Sequence, residues 1–96
     1  MAVIITAILK AKPGKEPLLR EELKKVLPAS REEEGCVKYT LHESLDDKGT
    51  FMFYEIWKDE TALQHHMEAP HYKEYRKNVA DLLETREVYR LEEVVE

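Results

Sequence analysis

A single cysteine, Cys36, rules out an internal disulfide, and its place at the start of a strand-like run reads as a reduced cytosolic thiol rather than a catalytic one. Glycine is scarce as well, three in 96 residues, and none builds a phosphate-cradling loop or a nucleophile elbow. No apolar run approaches the roughly 20 residues needed to span a bilayer. Met1-Ala2-Val3-Ile4 opens a strand-like run with neither a cationic region nor a cleavage site, so no signal peptide is expected. Positive charge is not in excess either. Fifteen Lys and Arg stand against twenty Asp and Glu, and the net −5 is spread over segments of mixed sign. That argues against a nucleic-acid or anionic-membrane partner. The expectation is a cytoplasmic chain.

What is present suffices for one fold. Apolar residues make up 43% and charged residues 36%, the balance of a globular chain rather than a disordered one. Residues 1–96 read as a single domain near the lower end of sizes that fold alone.

Val3 to Ala11 is β-branched and apolar on both faces, bounded by Lys12-Pro13-Gly14, and predicts a strand covered on both sides. A chain this small lacks two covering layers, so one face is expected to take helices and the other a second subunit. Gly14 to Pro28 carries Leu19, Leu23, Val26 and Leu27 at helical spacing, with Pro28 kinking or ending the helix. The acidic run Arg31-Glu32-Glu33-Glu34 reads as an irregular, solvated turn, and Gly35 as a left-handed stop. Cys36 to Ser44 and Thr50 to Lys58 alternate as a hairpin around Asp46-Asp47-Lys48-Gly49. Asp59 caps a short helix to about Glu68, and Pro70 opens another that ends near Glu84. Arg86 to Val95 closes the chain as a strand. This order of elements predicts an α+β, ferredoxin-like split βαβ arrangement, with helices on one face of an antiparallel sheet.

Three of the four histidines, the only tryptophan and three of the five tyrosines fall between Tyr54 and Tyr75, beside the break between the last two helices. Metal binding is not expected from them. His65 and His66 are adjacent and His71 lies five beyond His66, so neither pair shares a helix face as in an HExxH motif.

Lys12-Pro13-Gly14, Glu33-Glu34-Gly35-Cys36 with Tyr39, Leu41-His42, Tyr54-Glu55-x-Trp57, Ala62-Leu63, His66, Pro70-His71 and Tyr75 together carry a family likeness. In these residues, and in register along its whole length, the chain resembles the antibiotic-biosynthesis monooxygenase family, particularly its small quinol-monooxygenase-like members. The resemblance implies a dimeric α+β barrel and, for such members, oxidation of a small quinol or polyphenol by dioxygen without any cofactor. Other members degrade haem or process a phosphorylated quorum-sensing sugar derivative. Haem-degrading members use an asparagine, a tryptophan and a ligating histidine where this chain aligns Thr6 or Ala7, His66 and Arg76, which disfavours that activity.

Cofactor-free oxidation of a phenol needs a base titrating near neutrality, aromatic walls and hydrogen-bond donors. His66, on an inward stripe with Leu63 and Met67, is the first candidate for the base; alternatively it is a helix histidine satisfied by a backbone carbonyl. His71, in a helix first turn, is the second candidate, or else it fixes the joint between helices. Trp57, Tyr75, Tyr39 and His42 are candidate walls, although aromatics at such spacing are commonly plain core. Glu55 either orients a histidine or pairs with Arg76, Arg86 or Arg90. Two further functions stay open: an isomerase of a phosphorylated sugar derivative, anchored by Lys73 or Arg76, and a dimeric binding domain without turnover.

Overall fold

The computed structural model describes residues 1–95. Its elements are β1 (Val3–Ala11), α1 (Glu16–Lys25), α2 (Leu27–Arg31), β2 (Cys36–Glu43), β3 (Thr50–Trp57), α3 (Glu60–Glu68), α4 (Pro70–Val79) and β4 (Leu83–Leu91). The strands lie in the order β2-β3-β1-β4, every neighbouring pair antiparallel. This is the expected ferredoxin-like sheet, and side-chain alternation along its strands divides it into two unlike faces.

Val3, Ile5, Ala7, Leu9 and Ala11 of β1 and Phe51, Phe53, Glu55 and Trp57 of β3 are buried beneath the helices. Leu19, Leu23, Val26, Leu63, Tyr75 and Val79 descend onto them and complete the core. The opposite face carries Ile4 and Ile8 of β1 with Met52, Tyr54 and Ile56 of β3, all half-buried, and Tyr89 and Leu91 of β4, each 46% exposed.

Several boundaries differ from expectation. The first helix breaks at Val26, and Pro28 sits in the first turn of the short α2, where its missing N–H costs nothing. Gly35 does not have the expected left-handed backbone; among the described residues only Gly14 and Gly49 have positive φ. Its lack of a side chain instead admits α3, because a Cβ there would lie 2.2 Å from Ala62 Cβ. The last helix ends at Val79 rather than near Glu84, and β4 begins at Leu83 rather than Arg86. Leu82 and Leu83 satisfy helical spacing, but backbone pairing with Lys12 and Ala11 draws them to the sheet.

Candidate functional site

Ala7 is the small residue at the centre of the sheet, paired with Phe53 on one side and Val88 on the other. Above it α3, α4 and β4 enclose a cavity of about 340 Å³. Ile5, Ala7, Phe53 and Val88 line it from the sheet, and Leu63, His66, Met67, Tyr72 and Tyr75 from the helices. Glu55, Arg76, Arg86 and Arg90 supply its charge.

His66 reaches this place because Asp59 caps α3, accepting from Ala62 N at 2.8 Å, and helical spacing then turns Leu63 and His66 inward together. Its ring packs 4.4 Å from Trp57, 4.9 Å from Tyr72 and 5.4 Å from Tyr39, centroid to centroid. Nδ1 lies 2.7 Å from Glu33 Oε2. A carboxylate only accepts, so Nδ1 carries the proton and Nε2 is left as a lone pair. Nε2 is buried and has no hydrogen-bond partner among the described residues. Burial pushes the His66 pKa below the usual 6.5, outweighing the opposite pull of the Glu33 hydrogen bond. The result is a neutral, oriented imidazole with one unoccupied acceptor, the arrangement of a general base.

His71 Nε2 also meets Glu33 Oε2 at 2.7 Å, so one carboxylate oxygen joins α3, α4 and the turn before β2. His71 does not line the cavity and is joined to His66 through Glu33. Glu33, His66 and His71 are the group of ligand-type side chains among the described residues whose atoms, lying within 4.8 Å of one another, could hold a metal ion. Sequence spacing did not suggest it. Both contacts have hydrogen-bond lengths, so the geometry described is an imidazole–carboxylate–imidazole chain.

Glu55 lies on the cavity face between Ile5 and Tyr39 and accepts a hydrogen bond from Trp57 Nε1 at 2.9 Å. Burial raises its pKa to about 7, against the smaller effects of the Trp57 bond and the Arg86 charge. Burial also pushes the Tyr75 phenol up to about 12 and the Tyr39 phenol well above its usual range, so both remain protonated donors.

Of the residues singled out from sequence, His66, Tyr39, Tyr75 and Glu55 converge on the cavity. Trp57 is core: fully buried, it supports His66 and Glu55 from behind. His42 is not a wall. It alternates with Tyr39 and Leu41, pairs with Met52 and is exposed on the open sheet face. Glu33 is half-buried and belongs to the site rather than to a solvated surface. Tyr72 is a further cavity residue, Arg86 and Arg90 line the cavity without forming the ion pair with Glu55 considered for them from sequence, and the position of Glu33 two residues before Gly35 is the one local signal for it.

Comparison with known proteins follows the same lines. The chain is 36% identical over 81 residues to Rv0793 of Mycobacterium tuberculosis, covering 84% of this chain and 79% of that one. It is 33% identical over 81 residues to YcnE of Bacillus subtilis, covering 84% and 85%. Both relatives carry provisional monooxygenase names. A third, sll1783 of Synechocystis, is 28% identical over 84% of this chain, which spans 55% of that protein's length. The solved structure of Rv0793 superposes with a TM-score of 0.93 at 32% identity, covering 100% of this chain and 98% of the other. The family described as antibiotic biosynthesis monooxygenase matches residues 2–78. This chain therefore belongs to the antibiotic biosynthesis monooxygenase family.

Proposed function

We propose that this chain is a cofactor-independent monooxygenase that oxidises a small quinol or polyphenol with dioxygen. The observation that carries the reading is the Glu33–His66 pair: a buried, neutral imidazole held by a carboxylate, its Nε2 unpartnered, on the wall of an aromatic-lined cavity.

His66 Nε2 takes the proton of a substrate phenol, and Glu33 holds the imidazolium that results. The phenolate passes one electron to dioxygen, and the radical pair recombines at a ring carbon to give a peroxide. His66 returns its proton to that peroxide. Loss of the C–H proton with cleavage of the O–O bond then releases water and leaves a quinone carbonyl, one oxygen atom in each product. Glu55, titrating at about 7, is the second group in the cavity able to exchange a proton at neutral pH. Tyr75, protonated throughout, donates to a developing oxyanion.

The chain acts as a homodimer closed by the open sheet faces, whose row of Ile4, Ile8, Met52, Tyr54 and Ile56 is covered by no other element among the described residues. Residues 1–96 act as one domain.

Oxygen uptake by metal-free, flavin-free protein with reduced naphthoquinols and polyphenols tests the reaction. Protein-dependent uptake that falls by about a hundredfold or more in His66→Ala is the expected result, since a positioned base contributes roughly that much. Uptake unchanged by the substitution removes His66 as base, and none above spontaneous oxidation removes the reaction.

A further inference from the structure

Resting on that reading of the cavity, we propose that the natural substrate bears an oxyanion, a carboxylate or a phosphate, held between Arg76 and Arg86. The two guanidinium groups come from different elements, α4 and β4, and converge on a single neutral atom. Arg76 Nη1 and Arg86 Nη2 each donate to Tyr72 Oη at 3.4 Å, a long contact for a hydrogen bond. Neither has a carboxylate within ion-pair distance among the described residues, and the Nε of each is buried without a partner.

Carboxylates are not in short supply in a chain with twenty of them. Arg20 is paired with Glu43 and Arg90 with Glu60. Glu55 lies in the same cavity and is bonded to Trp57 Nε1 instead. Two cations brought together in a half-buried site, with a phenol between them and no ion pair to either, repel each other; the Glu55 carboxyl in the same cavity, protonated below about 7, offsets this in part and a bound anion would offset it further. A guanidinium fork matches the paired oxygens of a carboxylate or phosphate.

The placement also fits the proposed reaction. The Tyr72 ring is 4.9 Å from the His66 ring, while its Oη carries the two arginines. Base and cation pair thus meet the same tyrosine, the imidazole at its ring and the guanidinium groups at its hydroxyl. An aromatic substrate bearing both a phenol and an anionic substituent has one group for each.

The test is binding without oxygen, so that no turnover is needed. Hydroquinone, 2,5-dihydroxybenzoate and 4-hydroxyphenyl phosphate would be titrated anaerobically and followed by the fluorescence of Trp57, which packs on His66. At least one anionic probe is expected to bind tenfold or more tighter than hydroquinone, in keeping with charge-assisted hydrogen bonds. The tighter of the two identifies carboxylate or phosphate as the group. Arg76→Gln and Arg86→Gln should each abolish most of the preference with the circular dichroism unchanged, and Arg86→Lys should keep part of it. Equal affinities for neutral and anionic probes would overturn the inference, as would a preference that survives both glutamine substitutions. Oxygen uptake on neutral quinols without an anion preference sinks this inference and leaves the monooxygenase reading intact. An anion preference without uptake does the reverse.

Discussion

Burial holds the Glu55 carboxyl at about 7 rather than the ordinary 4.5, because β3 places it on the inward face between Phe53 and Trp57. A carboxyl whose folded pKa exceeds its unfolded one is easier to protonate in the native state. Its cost is absent below about 4.5, grows as pH rises through 7, and is complete above that, at about 3 kcal/mol. Glu55→Gln keeps an acceptor for Trp57 Nε1 and carries no charge. Urea unfolding of variant and parent at pH 5, 6, 7 and 8 should therefore show the variant's relative stability rising with pH and levelling off above 7. A difference independent of pH would mean that Glu55 is not desolvated as described. His66 contributes with the opposite sign, its depressed pKa costing stability as pH falls below 6.5, but the comparison at each pH cancels that contribution. His66, Glu55, Tyr39 and Tyr75 were legible from sequence because alternation or helical spacing aims each of them inward. Glu33 was not: in a run of three glutamates, no periodicity tells which one turns in to meet two histidines more than thirty residues away.

At the scale of elements, the approach of α3 to the start of β2 is what brings His66 over Tyr39. Gly35 permits that approach, with Lys58 N donating to its carbonyl at 2.9 Å and Ala62 pressed against its Cα. Gly35→Ala would force an overlap between two rigid groups, backbone-borne Cβ against Cβ. We expect it to lower stability by about 1–3 kcal/mol, as overpacking does, measured by chemical denaturation. No loss would mean that α3 can retreat without consequence. A left-handed stop is what local sequence suggests at Gly35, but its backbone is not left-handed and its role is the close approach of Ala62; a contact between residues 27 positions apart leaves no local trace. Similar reasoning covers the end of α4. Leucines at 82 and 83 suit helix and strand alike, and pairing with β1 made the choice.

For the whole molecule, the question is what covers the second face of the sheet. Its extents of 40 × 34 × 17 Å describe a slab, one layer of helices on one sheet. The uncovered side carries an aliphatic and aromatic band across β3, β1 and β4, and contiguous exposed apolar surface of this kind marks an interaction site. A second copy meeting it face to face is the expected cover, so sedimentation at micromolar concentration should give twice the 11.3 kDa of the chain. Ile8→Glu, a charge in the middle of β1's open face, should convert that species to monomer. A compact monomer of the parent chain would refute the dimer.

The sequence by itself determined the antiparallel α+β sheet, the inward-facing residues and the aromatic and histidine-rich segment around the α3–α4 break, since these follow from periodicities of two and 3.6 and from capping chemistry read over short stretches. The tertiary structure alone decided that Glu33 holds both His66 and His71, that Trp57 supports the cavity and His42 faces away from it, and that Arg76 and Arg86 share Tyr72. Each of those depends on the register of distant strands and the docking of helices from separate parts of the chain. Local spacing carries no information about either.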